Sequence, residues 1–181
     1  TEDILNKAKE LSVPIDYSDK ITALSDAYTN LENSKKQYKQ VTNPTEEFVI
    51  QRLLTVDDIV DARAVTEDQD PNGNLHKEGG YTATIYFESK KVNQSKVYTS
   101  GEYDDVLIDK GTDAGGAIEV YAKEEDAEKR QEYLATYDGT IFANGTHTVI
   151  GTVLVRTSNE LTASQQKELE QKVIKALTKL E

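Results

Sequence analysis

The chain has 181 residues, with 33 acidic and 21 basic side chains and a formal net charge of −12. Nucleic acids and anionic membrane surfaces bind clustered Lys and Arg side chains. The excess of acidic residues therefore argues against both as partners. The absence of Cys excludes disulfides, thiolate nucleophiles and zinc–thiolate sites, and the length is that of one domain.

The first 42 residues have the spacing of helices. Ile4, Ala8 and Leu11 share one face of a first helix, which Pro14 interrupts. Ser18 is a candidate N-cap for a second helix. Its apolar residues recur at helical spacing, at Ile21, Leu24, Tyr28, Leu31 and Tyr38. We therefore predict an N-terminal helical segment or stalk over 1–42, ahead of a second domain over 43–181.

The second domain begins with a helix and continues with strands. Asn43 as cap and Pro44 at the first helical position predict a helix that ends near Leu54. The apolar period then changes from 3.6 to 2, which predicts strands over 59–65 and 81–89. Residues 90–116 are rich in Gly, Ser, Asp and Lys and are predicted to form a loop, and a loop of this length is usually functional or mobile.

The C-terminal part alternates strands and helices. We predict a strand over 117–122, a helix over 123–137 and one central strand over 147–157, which is apolar on both faces. Thr162 and Gln165 form a capping box for a last helix. Its buried stripe is predicted to be Leu169, Val173, Ala176, Leu177 and Leu180. The order predicts an α+β fold, with helices on one face of a mainly antiparallel sheet.

The acidic stretch TEDQDPNGNLHKEGGY, residues 66–81, is the sharpest candidate site. An EF-type calcium loop supplies oxygen ligands from its positions 1, 3, 5, 7, 9 and 12, with Gly at position 6. Counted from Asp68, Asp70 and Asn72 occupy positions 3 and 5, and Gly73 occupies position 6. This half of the stretch matches a calcium loop.

The other half of the stretch departs from that pattern. Position 9 is His76, a nitrogen donor, and position 12 is Gly79 where a Glu is required. Asp, Pro, Asn and Gly are also ordinary turn residues. Two interpretations stay open: a polar turn, which we favour, or a weak calcium site. The ligands of such a site would be Asp68, Asp70 and Asn72, with Glu67 or Glu78 in addition.

Motifs for catalysis are weak. Ser164 and Lys167 have the spacing of certain acyl-serine enzymes, but the companion motifs are missing. A hydrolase would need carboxylates such as Glu67, Asp68 and Glu119 gathered from different strands. Glu119 is equally well explained as an outward-facing strand residue. We assign no catalytic residue.

Three stretches together resemble uncharacterised surface lipoproteins of Gram-positive bacteria. They are AVTEDQDPNGNLHKEGGYTATIYF, IEVYAKEEDAEKRQEYL and GTVLVRTSNELTASQQKELEQKV. The resemblance covers 60–180 in patches and brings no assigned activity. It implies an extracellular domain anchored to the outer face of the cytoplasmic membrane. A chain without Met agrees with a processed piece whose signal and anchor have been removed.

We expect a non-catalytic binding module with a surface or cell-wall partner. Its ligand would be held by the 66–80 turn and the 91–116 loop. The alternatives are a structural spacer or assembly subunit, which would have a featureless surface, and a surface hydrolase with a cleft of perturbed carboxylates. No cofactor is expected apart from the calcium ion considered above.

Overall fold

The computed structural model describes residues 1–10, 16–140 and 145–180. The chain divides into two compact units, Thr1–Lys36 and Gln37–Glu181. Helix α1 covers Glu2–Glu10 and helix α2 covers Ser18–Gln40. Leu11 and Pro14, the predicted end of the first helix, lie outside the described residues.

The predicted apolar stripe of the N-terminal segment faces solvent. No residue of α2 is buried. Its exposed apolar side chains are Ile21, Leu24, Tyr28, Leu31 and Tyr38. The helical spacing therefore forms a continuous apolar line on the outside of this helix.

The second unit is built on one five-stranded antiparallel sheet. The strands are β1 (Ile59–Ala64), β2 (Tyr81–Ser89), β3 (Gly115–Tyr121), β4 (His147–Ile150) and β5 (Val153–Thr157), in the spatial order β1-β2-β3-β5-β4. The helices are α3 (Glu46–Leu53), α4 (Val106–Lys110), α5 (Glu124–Ala135) and α6 (Ala163–Thr178). The predicted α+β class and the antiparallel sheet are confirmed.

Helices cover both faces of this sheet. On the first face α3 and α6 bury their apolar stripes against Ile85, Phe87 and Ile118. The second face is covered by α4, through Leu107 and Ile108, and by α5. The prediction placed helices on one face only. It missed the second layer because α4 has only five residues and lies within the predicted loop, and because α5, although predicted as a helix, is mostly polar.

Helix α3 begins later than predicted. Thr45 is its N-cap, and the Thr45 side chain accepts a hydrogen bond from the backbone N of Phe48. Asn43 has a positive φ of 47°, and its backbone N donates to the Thr152 hydroxyl at 2.6 Å. Asn43 and Pro44 therefore belong to the connection before the helix, and the predicted cap at Asn43 is wrong.

The apolar run over 147–157 is a hairpin rather than one central strand. β4 and β5 pair antiparallel, with Ile150 opposite Val153. The turn between them contains Gly151 at φ +56°, and a Cβ there would lie 2.5 Å from the Val41 carbonyl oxygen. Of the two strands of this hairpin, β5 lies in the interior of the sheet, and β4 forms its half-buried edge. The apolar pattern did not reveal the turn because Gly151 and Thr152 interrupt it only briefly.

The predicted loop over 90–116 contains a short helix. Asp105 caps α4 by accepting hydrogen bonds from the backbone N atoms of Leu107 and Ile108. Burial of these two side chains on the second face of the sheet fixes this part of the loop. The last helix follows the prediction more closely: Thr162 and Gln165 form the capping box.

Candidate functional site

The second face of the sheet carries an open cavity of about 890 Å³ between α4 and α5. The turn after β1, the loop before α4, α4 itself, α5 and the end of β5 all contribute to its lining. The lining residues include Asn72, Tyr86, Tyr103, Asp109, Asp113, Arg130, Tyr133, Tyr137 and Arg156. The 66–80 turn and the 91–116 loop, which the sequence predicts to hold a ligand, thus line the same cavity.

Below the cavity lies a buried ion cluster centred on Glu119. Arg156 Nη1 donates to Glu119 Oε1 at 2.7 Å, and Arg130 Nε donates to Oε2 at 3.1 Å. The Tyr121 hydroxyl donates to the same Oε2 atom at 2.7 Å. Burial by itself raises the pKa of Glu119, but the charges of Arg156 and Arg130 and the Tyr121 hydrogen bond outweigh it. Together they hold this pKa below its ordinary value, so Glu119 is ionised at neutral pH.

Strand alternation explains how these side chains meet. Ile118 and Val120 of β3 point to the first face, so Glu119 between them points to the second. Arg156 of the neighbouring strand β5 pairs with Ala117, two residues from Glu119 on the same face. Arg130 projects from α5, which packs on this face and completes the cluster.

Tyrosine side chains form much of the cavity wall. The rings of Tyr133 and Tyr137 meet edge to face with centroids 5.4 Å apart. The Arg130 guanidinium lies 5.5 Å from the centroid of the Tyr133 ring, within cation–π range. Tyr86 is buried in the sheet, and this burial raises the pKa of its hydroxyl to about 12. The wall is therefore aromatic, and its Tyr86 hydroxyl is neutral at physiological pH.

Three carboxylates stand at the rim of the cavity, those of Glu102, Asp109 and Asp113. Asp109 accepts hydrogen bonds from the Ser100 hydroxyl and the Gly101 backbone N, which lower its pKa. Desolvation by the surrounding chain and the charge of Glu160 raise the pKa of Asp113, while the charge of Arg156 lowers it. Asp113 itself is exposed. The rim is thus negative, whereas the floor contains two guanidinium groups and one carboxylate.

Asp70 is the structural centre of the acidic turn. Its Oδ1 atom accepts hydrogen bonds from the Tyr81 hydroxyl and from Asn72 N at 3.0 Å. Its Oδ2 atom accepts from Asn74 N at 2.6 Å and Leu75 N at 2.9 Å. Partial burial raises the pKa of Asp70, but the hydrogen bonds outweigh it and hold the pKa below its ordinary value. The Asp70 carboxylate thus has four donors from the protein itself.

The other predicted calcium ligands have separate partners. Asp68 accepts from the Thr66 hydroxyl at 2.7 Å, Asn72 Nδ2 donates to the Tyr81 hydroxyl at 3.5 Å, and Glu67 contacts His76 Nδ1 at 2.8 Å. Glu78 is exposed. Within residues 1–10, 16–140 and 145–180, no group of three or more His, Cys, Asp or Glu side chains is arranged to hold a metal ion. The calcium site stays a prediction.

The carboxylates considered for a hydrolase also have different surroundings. Glu67 and Asp68 are exposed in the turn, whereas only 2% of Glu119 is exposed, and both of its oxygens are hydrogen-bonded. Glu119 therefore points inward, and the interpretation of it as an outward-facing strand residue is wrong.

Sequence reasoning missed Arg130 and Arg156 as site residues. A signal for one of them was present: Arg156 interrupts the apolar run VLVRT, and Glu119 interrupts AIEVYA. Opposite charges inside two apolar strands indicate a buried pair, because an unpaired charge is costly to bury. Arg130 has no such signal, since it lies in a helix rich in charged residues.

Comparison of the chain with protein-family models, with curated proteins and with solved structures found no match. Among the described residues, no helix has the length and apolarity needed to cross a membrane.

Proposed function

We propose that the protein is a non-catalytic binding module whose ligand occupies the cavity between α4 and α5. The observation that carries this proposal is the cavity itself, with its volume of about 890 Å³. Small-molecule sites occupy roughly 300–1,000 Å³ and combine apolar or aromatic walls with a few charged groups. The tyrosine wall supplies the aromatic surface, and Arg130 and Arg156 are among the charged groups of the lining.

An extracellular location belongs to the same proposal. It rests on the resemblance to Gram-positive surface lipoproteins, and it places the module on the outer face of the cytoplasmic membrane near a surface or cell-wall partner. A structural spacer or assembly subunit is the alternative; the exposed apolar line on α2 departs from the featureless surface expected of a spacer, but it offers an assembly subunit a surface for association. A ligand bound in the cavity distinguishes the module from the spacer.

A fragment screen tests the proposal directly. We expect small aromatic fragments, screened by NMR, to shift the backbone amide signals of residues 100–113 and of α5, because these segments line the cavity. Thr112→Trp should abolish the shifts, since Thr112 lies in the lining and a Trp side chain would fill the space.

The matched control is Gln171→Trp. Gln171 is exposed on α6, which packs on the other face of the sheet, so the control should leave fragment binding unchanged. A screen without hits in the cavity, or hits that persist unchanged in Thr112→Trp, would argue for the spacer.

A further inference from the structure

The ion cluster below the cavity has more positive than negative charge. Two guanidinium groups face one carboxylate, so the cluster has a net charge of +1 when all three groups are ionised. This local excess contrasts with the net charge of −12 on the whole chain. Both Glu119 oxygens already accept hydrogen bonds, so Glu119 offers little further capacity to neutralise the second arginine.

Arg156 has donor capacity that the protein does not use. Its side chain is only 9% exposed, and its ion pair with Glu119 uses Nη1. The buried Nε atom has no hydrogen-bond partner among the described residues. An unpaired buried donor is unfavourable, and a guanidinium is suited to bidentate contact with a planar carboxylate. The Arg156 guanidinium is therefore incompletely satisfied by the described residues, and Arg156 is also one of the residues that line the cavity.

The surroundings of this arginine restrict the anion. Three carboxylates, those of Glu102, Asp109 and Asp113, also line the cavity. Lys110 is a further cation of the lining, and its Nζ atom donates a hydrogen bond to Gln94 Oε1 at 3.1 Å. Rim carboxylates repel a group with two or more negative charges more strongly than a group with one. The aromatic wall provides the apolar contact that a small monoanion needs for the rest of its surface.

We infer that the ligand of this cavity carries a single carboxylate, which binds Arg156 beside the Glu119–Arg130 ion pair, with its apolar body against the tyrosine wall. The inference rests on the proposed function and specifies its ligand class. A free aromatic acid and the C-terminus of a peptide both present such a carboxylate, and either is a source of the ligand.

Isosteric probes test the charge and its source. We expect benzoate to bind about tenfold or more tightly than neutral benzamide, because hydrogen bonds to a charged group are the stronger ones. Phenyl phosphate should bind more weakly than benzoate because of the rim carboxylates. N-acetyl-Gly-Phe, compared with its C-terminal amide, tests the peptide source. NMR titration of the cavity amides gives each dissociation constant.

Variants assign the binding to the arginine. Arg156→Gln should lower benzoate affinity about tenfold and leave benzamide binding unchanged, and it keeps Glu119 paired with Arg130. Arg156→Lys, which keeps the charge but loses the planar fork, should give a smaller loss. The control Lys175→Gln removes an exposed cation of α6, on the other face of the sheet, and should have little effect.

The possible failures are distinguishable. Equal affinity for benzoate and benzamide, unchanged benzoate binding in Arg156→Gln, or tighter binding of phenyl phosphate overturns the carboxylate assignment and leaves the binding module standing. If no aromatic probe binds in the cavity, both the carboxylate assignment and the proposed binding module are overturned.

Discussion

Replacement of Glu119 by Ala is expected to lower the free energy of unfolding by about 3–5 kcal/mol, because it leaves the buried Arg156 and the partly buried Arg130 without their carboxylate. For a domain of this size the melting temperature should fall by roughly 6–20 °C. The measurement is thermal and urea unfolding of Glu119→Ala at neutral pH. Glu128→Ala is the control, since Glu128 is exposed on the same helix as Arg130; it should change stability by less than about 0.5 kcal/mol.

Acidic pH provides a second test of the same cluster. The folded-state pKa of Glu119 lies below its ordinary value, so its stabilising effect is complete above the unfolded-state pKa of about 4.3. The effect is lost as pH falls through the lower, folded-state pKa. The stability difference between the native protein and Glu119→Ala should therefore shrink below about pH 4.3. A difference that is small at neutral pH, or constant across this range, would contradict the ion cluster.

The parts of the fold that depend on nearby residues were predictable. The capping box of Thr162 and Gln165 spans one helical turn, and its hydrogen bonds are present. The stripe of α6 is buried at Leu169 and Val173, because its spacing alone selects the face that packs. Beyond the end of the helix, Leu180 is only partly buried. Local spacing therefore fixes this helix up to its last turn.

The parts of the site that depend on pairing between strands were not predictable. Glu119 and Arg156 are 37 positions apart, and only the register of β3 against β5 brings them to one face. To predict that register, one must first recognise the hairpin at Gly151, and the apolar pattern of 147–157 conceals this turn. The cavity also requires α4, whose five residues are too few for helical periodicity to emerge from a long polar loop.

Replacement of Asp70 by Asn is expected to destabilise the protein by about 2–3 kcal/mol, or roughly 4–12 °C in melting temperature. The Asp70 carboxylate accepts three backbone N–H groups and the Tyr81 hydroxyl. An amide keeps only one acceptor oxygen, so it cannot satisfy donors on both sides. Asp68→Asn is the control, because Asp68 is exposed and its carboxylate accepts a hydrogen bond from the Thr66 hydroxyl, which the Asn side-chain oxygen can also accept. It should leave the melting temperature nearly unchanged.

Calcium distinguishes the two interpretations of the turn. Since protein donors already engage both Asp70 oxygens, we expect millimolar calcium, compared with magnesium or a chelator, to leave the melting temperature of the native protein unchanged. A site held at about ten times its dissociation constant would add about 1.4 kcal/mol, or roughly 3–6 °C. A calcium-specific rise of that size, absent in Asp70→Asn, would establish the metal site and show that the ion replaces backbone donors. With no rise, the loss of stability in Asp70→Asn measures the turn alone.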